Sequence, residues 1–221
     1  MSASMNTILI VGGTSGIGEA CAKRFHAMGK KTLFATYPDI DTVWVNGGLQ
    51  YISDIKDAAS TTDARIEGEV SLNVTAPMVL AHHVIPRLIE KKTETTFMIT
   101  SSGLGFVPVG SLFPVYCATK AAVHSYCVGI RQALKATNVS VLELVPPYVG
   151  GTELVQDQEH ADKIKGLKPL PMEDFVEEVF EVLEKNAAKD LKEVAAGSAV
   201  GRVEAWRSGI GGILSSTGLG G

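Results

Sequence analysis

The stretch Val115-Tyr116-Cys117-Ala118-Thr119-Lys120-Ala121-Ala122 sets a tyrosine and a lysine four residues apart. In a helix that spacing puts both on one face, one turn from each other. An ammonium beside a phenol favours the phenolate, so the Tyr116 pKa is expected to fall from about 10 toward working pH. A phenol poised in this way gives or takes a proton at a carbonyl or alcohol oxygen. Taken alone, the pair also suits the polar face of an ordinary amphipathic helix. Its weight comes from the stretches around it.

The first of these is Gly12-Gly13-Thr14-Ser15-Gly16-Ile17-Gly18. It follows an apolar β-branched run, Thr7 to Val11, that reads as a buried parallel strand. It precedes a helical pattern carried by Ala20, Cys21, Phe25 and Met28 and stopped at Gly29. Strand, glycine turn and helix together are the context that lifts a glycine motif above chance. Glycines let the backbone approach a pyrophosphate, and the helix start offers free N–H groups and the positive dipole end. A tight packing turn without a ligand is the plainer reading. A second strand, Thr42 to Val45, runs into Asn46-Gly47-Gly48, so this turn too should meet cofactor or substrate at a strand C-terminus.

These groups must be positioned by a chain of 221 residues, long enough for one domain with a sizeable core. A hydrophobic share of 45% and a charged share of 20% are ordinary for a soluble globular protein. The net charge of −4, with no basic block, argues against a nucleic-acid partner. Cys21, Cys117 and Cys127 have no paired spacing and read as reduced thiols, consistent with the cytoplasm. No apolar run is long enough to span a membrane, and no secretory signal is expected. His82 and His83 are adjacent, face different directions on a helix, and suggest no metal site.

Further along, Lys31 to Thr36 reads either as a strand or as the tail of a helix. Tyr51 to Thr62 reads as loop with a short helical turn. Arg65 to Glu90 has helical period, interrupted by Asn73 and by Pro77, which is expected to kink it. Glu90 to Glu94 is a solvated turn. Thr96 to Thr100 is a strand ending at Ser101-Ser102-Gly103, and Gly105 to Pro114 is loop. The Tyr116 helix runs to about Ala136 and Val139 to Val145 is again a strand. Pro146-Pro147-Tyr148-Val149-Gly150-Gly151-Thr152 closes it as a rigid turn. Gln156 to Lys168 is polar and fits either a lid or a plain surface excursion. Met172 to Lys185 is an amphipathic helix, Glu193 to Gly197 holds a last short strand, and the glycine-rich end, Gly209 to Gly221, is expected to fray. No repeat or linker is visible.

Strands alternating with helices argue a doubly wound parallel, Rossmann-like α/β sheet in a single domain. With the glycine turn and Tyr-x-x-x-Lys in this order, the chain resembles the short-chain dehydrogenase/reductase family from Thr7 to about Trp206. The family's glycine turn matches Gly12, Gly16 and Gly18, with Val11 where a threonine is usual. Its Asn-Asn-Ala-Gly turn matches Val45-Asn46-Gly47-Gly48, and its helix asparagine matches Asn73. Its catalytic serine matches Ser102, fourteen residues before the tyrosine where thirteen is more usual. Its Pro-Gly turn matches Pro146-Pro147. The resemblance implies roles. Tyr116 is the general acid/base, and Lys120 lowers its pKa and holds the nicotinamide ribose. Ser102 hydrogen-bonds the reacting oxygen, and Asn73 holds a water that links Lys120 to solvent. It also implies an NADP or NAD site built from Gly12, Thr14, Ser15, Gly16, Ile17, Gly18, Asn46, Gly47, Tyr116, Lys120, Pro146, Val149 and Thr152, the last at the nicotinamide.

One departure stands out. Only about 30 residues separate the glycine turn from Asn46, where the resemblance implies roughly two more strand–helix units. The block missing between Thr32 and Tyr37 is the one that normally holds adenine and reads the ribose 2′ position. In the strand order 3-2-1-4-5-6, strand 3 is an edge, so its loss need not split the sheet. The chain must still travel about 17 Å along the strands and about 10 Å across them, a diagonal of roughly 20 Å. Seven extended residues reach about 24 Å, so a taut link suffices. It leaves apolar surface uncovered on one face unless a second subunit or a rearranged helix covers it. The other version, with Leu33 to Thr36 a helix tail and no second strand, needs a disfavoured left-handed crossover.

The function expected is hydride transfer between NAD(P)(H) and a carbonyl or secondary alcohol of a small molecule. Two alternatives stand beside it. One is cofactor-independent acid/base chemistry by Tyr116, Lys120 and Ser102, as in an isomerase, dehydratase or cyclase. The other is a non-catalytic oligomer partner. A homo-oligomer is expected to form through helices 65–90 and 115–136, which resemble the family's dimer helices.

Overall fold

The structure, a computed structural model, describes residues 5–27, 31–32, 39–109, 111–154 and 166–218. Each β-branched or apolar run identified in the sequence becomes a strand: β1 (Thr7–Val11), β2 (Lys31–Thr32), β3 (Thr42–Val45), β4 (Thr95–Thr100), β5 (Val139–Val145) and β6 (Glu193–Ala195). All pair in parallel in one sheet, in the order β2-β1-β3-β4-β5-β6. The second strand therefore exists. It is only two residues long and forms the edge, while β3 lies on the other side of β1. This is the arrangement expected of a sheet that has lost its outer strand. The helix-tail version fails because Lys31 and Thr32 pair with Thr7 and Ile8. The link at 33–38, the helix stop at Gly29 and most of the segment Gln156 to Lys168 lie outside the described residues.

The sheet is wound on both faces because strand side chains alternate. On one face Ile8, Ile10, Trp44, Met98, Leu142 and Leu144 pack against α1 (Gly16–Ala27) and α6 (Met172–Lys185). Phe25 of α1 meets Phe180 of α6 with ring centroids 4.7 Å apart. On the other face Val43, Val45, Phe97, Ile99 and Val141 pack against α3 (Ala76–Glu90) and α5 (Pro114–Leu134). β4 is buried along its whole length, while β1 is buried at Ile8 and Ile10 but only half-buried at Leu9 and Val11. The thin cover over Leu9 and Val11 marks the face that the short connection was expected to leave bare.

Three details differ from the sequence reading. The interruption in the long helix is a wider π turn, Ser71–Thr75, between α2 (Asp63–Val70) and α3. Pro77 has no N–H to give, and the turn accommodates this just upstream, with Ala76 N–H reaching back to the Ser71 carbonyl. Pro86 also lies inside α3 without ending it. Within the expected loop, Gly103–Phe106 forms a short helix, α4. After β6, α7 (Ala199–Trp206) continues through a π segment, Arg207–Gly211, into α8 (Gly212–Ser216), so the glycine-rich end is helical to Ser216 rather than frayed.

Candidate active site

The C-terminal ends of β1, β3, β4 and β5 converge on one cavity of about 420 Å³. This is the end of a parallel sheet where a switch in strand order opens a crevice, here between β1 and β3. Gly12, Thr14, Ser15, Gly16 and Ile17 line it from the glycine turn. Asn46 and Gly47 line it from β3, Ser102 from β4, Tyr116 and Lys120 from α5, and Pro146, Val149 and Thr152 from the turn after β5. Two residues assigned to the site stand behind its wall. Gly18 packs under the turn, where an added Cβ would lie 2.1 Å from the Gly12 carbonyl oxygen. Asn73 is buried at 1% exposure within the π turn.

The glycine turn is rigid because it is tied to its neighbours. Gly12 has φ +83°, and a Cβ there would meet the Gly47 nitrogen at 2.8 Å. Asn46 N–H donates to the Val11 carbonyl at 2.9 Å and its Nδ2 to the Gly12 carbonyl at 3.2 Å. Asn46 Oδ1 accepts in turn from Thr100 Oγ1 at 2.8 Å, and Thr100 Oγ1 accepts from Trp44 Nε1 at 2.9 Å. The Gly12 and Gly16 backbone, both at positive φ, lines the cavity at the head of α1 and forms a cradle there. It suits a pyrophosphate, since the helix start adds N–H donors.

Across the cavity Tyr116 and Lys120 share the buried side of α5, with the Lys120 Nζ 5.6 Å from the Tyr116 ring centroid. The Nζ donates to the Thr100 carbonyl at 3.0 Å. Thr119, between them, caps the Tyr116 carbonyl at 2.8 Å and accepts from Asn73 Nδ2 at 3.1 Å. The expected lowering of the Tyr116 pKa is not found. Burial pushes this phenol above its ordinary value, the Ser102 hydrogen bond opposes the rise, and the Glu69 carboxylate adds to it. Burial also lowers Lys120 to about 8, against the pull of Glu143 and Glu69. Burial is the largest cause of both shifts because both groups are almost wholly enclosed. Ser102 joins the pair from the start of α4, where its Oγ accepts from Leu104 N–H at 3.2 Å. Its hydroxyl thus caps a helix and meets Tyr116 at once.

The Asn73 side chain uses both of its amide atoms inside the protein. Its amide grips both sides of one peptide segment, accepting from Leu49 N–H at 2.8 Å and donating to the Leu49 carbonyl at 2.8 Å. Its side chain is therefore a strut that fixes the wall after Gly48 and, through Thr119, the Tyr116 turn.

Two groups escaped the sequence reading. Glu69, one helical turn before Asn73, is 1% exposed, and burial raises its carboxyl to about 7, opposed by the Tyr51 backbone hydrogen bond and by Lys120. Its spacing from Asn73 was the available signal. Thr100 had none, because its part depends on which strand lies beside β4. Among the described residues no group of three or more potential metal ligands occurs, and no helix is long and apolar enough to cross a membrane.

A parallel sheet wound on both faces, with a glycine turn facing a Tyr–Lys–Ser group, defines a dehydrogenase-type α/β protein. A short-chain dehydrogenase model matches residues 31–163, more than half of the chain, and the chain belongs to that family. It is an oxidoreductase of the NAD(P)-dependent kind. The match begins after the glycine turn, so the turn stands on its own geometry. The chain is 31% identical to the uncharacterized oxidoreductase DltE of Bacillus subtilis, over 67% of this chain and 73% of that protein. It is 26% identical to the NADP-dependent 3-hydroxy acid dehydrogenase YdfG of Salmonella typhi, over 78% of this chain and 87% of the relative. Among solved structures, a short-chain dehydrogenase from Sphingobium yanoikuyae in complex with NADPH superposes with a TM-score of 0.75 at 20% identity, covering 96% of this chain and 95% of that one, which shows the shared fold.

Proposed function

We propose that Tyr116, Lys120 and Ser102 carry proton transfer at a carbonyl or secondary alcohol held in the 420 Å³ cavity, beside a nicotinamide dinucleotide held by the glycine turn. The observation that carries this reading is that one cavity brings together Gly12, Gly16, Asn46, Ser102, Tyr116, Lys120 and Thr152, drawn from four strand ends. When bound, the nicotinamide supplies or accepts hydride. The other parts belong to this chain. Gly12 to Ile17 take the pyrophosphate, with Gly18 packed beneath them, and Asn46, Gly47 and Lys120 take the adjoining ribose. Pro146, Val149 and Thr152 hold the nicotinamide end. Tyr116, kept protonated by burial, gives its proton to a carbonyl oxygen that Ser102 steadies. Lys120, its ammonium braced by the Thr100 carbonyl, restores that proton. The shortened sheet edge leaves the adenine end with fewer partners, so affinity rests on the pyrophosphate and nicotinamide halves.

Calorimetric titration with NADPH and NADH, each at millimolar excess, tests this directly. A micromolar dissociation constant, together with nucleotide-dependent carbonyl reduction, is expected. Absence of heat with both nucleotides would overturn the reading. The chain is also proposed to pair with a second copy through the long helices 63–90 and 114–134. Ile66, Val70, Val79 and Ile89 are exposed along the first of these, and sedimentation velocity should show a species larger than the monomer. The free cysteines Cys21, Cys117 and Cys127 suit the reducing cytoplasm.

A further inference from the structure

The cavity wall beyond Ser102 holds a cation that the proposed chemistry does not use. Arg202 of α7 lines the cavity together with Ser102, Gly103 and Tyr116. Its Nη1 donates to the Val107 carbonyl at 2.6 Å and to the Gly103 carbonyl at 3.4 Å. Its stem is seated on the residue after Ser102, for a Cβ at Gly103 would meet Arg202 Cδ at 3.2 Å. Gly103 is thus the size that lets the arginine lie against the catalytic wall. Among the described residues those two carbonyls are its only hydrogen-bond partners, its charge is also felt by the Cys117 thiol, and no carboxylate pairs with it. The Nε and Nη2 donors of the fork remain.

Of the other charges in the cavity, Lys168 is an exposed cation two residues before Leu170, which bridges to Val149. Lys120 is committed to the Thr100 carbonyl. Glu153 follows Thr152, whose Cγ2 lies 3.5 Å from the Cβ position of Gly16, on the nucleotide side. Next to Arg202, Ser198 precedes α7 and lines the cavity, and its hydroxyl makes no cap bond. Leu104, Val109, Phe113 and Leu154 also line the cavity, an apolar surface that takes a short hydrocarbon. A half-buried guanidinium anchored by one nitrogen, with its remaining edge unpaired, is a receptor for a planar anion.

We infer that Arg202, helped by Ser198, binds the carboxylate of a short hydroxy- or oxo-acid whose reacting oxygen lies at Ser102 and Tyr116. Arg202 is then a specificity-determining residue. The inference rests on the reading of this cavity as the site of hydride transfer, and it predicts that neutral analogues are poor substrates.

The test uses the full chain with NADP+ and two probes, 3-hydroxybutanoate and its methyl ester. The native protein should favour the acid over the ester in kcat/KM. Arg202→Gln should lower the acid-to-ester ratio by about 100-fold, chiefly through KM, and Arg202→Lys should restore part of it. A ratio unchanged in Arg202→Gln, or a native preference for the ester, would overturn the assignment. Malonate, which carries carboxylates but no oxidisable alcohol, decides the case without turnover. Titrated into the nucleotide-loaded protein, it should bind the native chain and lose at least about 10-fold in affinity in Arg202→Gln. Equal binding by both chains would overturn the proposal. Selective malonate binding without turnover on any alcohol would uphold Arg202 as the anion site and overturn only the redox reading.

Discussion

The two halves of the sheet are built to different standards. In the catalytic half, β4 is buried at all six residues and sits between β3 and β5, with helices on both faces. In the nucleotide half, β2 has two residues, and β1 is well covered only on the α1 and α6 side. The catalytic half must hold Ser102, Tyr116 and Lys120 in one fixed relation, and over-determined packing does that. The nucleotide half needs only a backbone cradle. Ties from Asn46 and Gly47 lock that cradle to β3, which belongs to the better-packed side. The sheet can therefore be short at its β2 edge while the cradle still faces the Tyr–Lys pair.

Substitutions can break or sharpen this contrast. The largest effect belongs to Tyr116→Phe. The ring is kept and only the proton carrier goes, so kcat should fall about 10³-fold while calorimetric nucleotide affinity stays within a few-fold. A comparable loss of nucleotide affinity would mean that the two halves are not separable. Phe97→Ala acts on the packed half alone. Phe97 is wholly buried beside Val43, Ile99 and Val141, and its truncation should cost about 4 kcal/mol in a urea titration.

Glu69→Gln tests the joint between the halves by pH. The native carboxyl titrates near 7, above its ordinary value of 4.5, so the folded state holds the proton more tightly than the unfolded one. Its contribution to stability is complete below pH 4.5 and is lost as pH rises toward 7. A shift of that size is worth about 3 kcal/mol. Stability measured from pH 4.5 to 7.5 should fall in the native chain and run flatter by about that amount in Glu69→Gln. Parallel profiles would show that Glu69 keeps its ordinary pKa.

How much of this was legible follows the same divide. The strands of the catalytic half were visible because β-branched runs such as Val139 to Val145 announce themselves within a few residues. The site there was visible because Tyr116 and Lys120 lie on one helix, where spacing alone sets their face. The reversal of the Tyr116 pKa was not, because burial is set by everything that packs around the ring rather than by its helix neighbour. The strut formed by Asn73 was also hidden. It depends on a π turn that brings the amide to Leu49, a residue 24 positions away in the chain. Arg202 carried no local signal either, since its meaning comes from touching Gly103 across 99 positions. Pattern alone could not tell the two-residue β2 from a helix tail; the reach of the chain allowed it, and the left-handed crossover that a helix tail would need favoured it.

The smallest expected effect is the one that measures the contrast itself. Leu9 and Phe97 are both strand residues on the face that α3 and α5 cover, yet Leu9 is only half-buried and Phe97 is fully enclosed. Truncating a half-exposed leucine gives up little apolar burial and leaves no closed cavity, so Leu9→Ala should cost about 1 kcal/mol. If pairing of two copies covers this face, the loss should grow with protein concentration, because association then adds to the stability of the folded state. Urea midpoints of the native chain and Leu9→Ala at dilute and concentrated protein separate the cases. A concentration-independent loss near 1 kcal/mol leaves the β1 face as solvent-facing surface, whereas a loss approaching that of Phe97→Ala only at high concentration would make a second chain the missing cover.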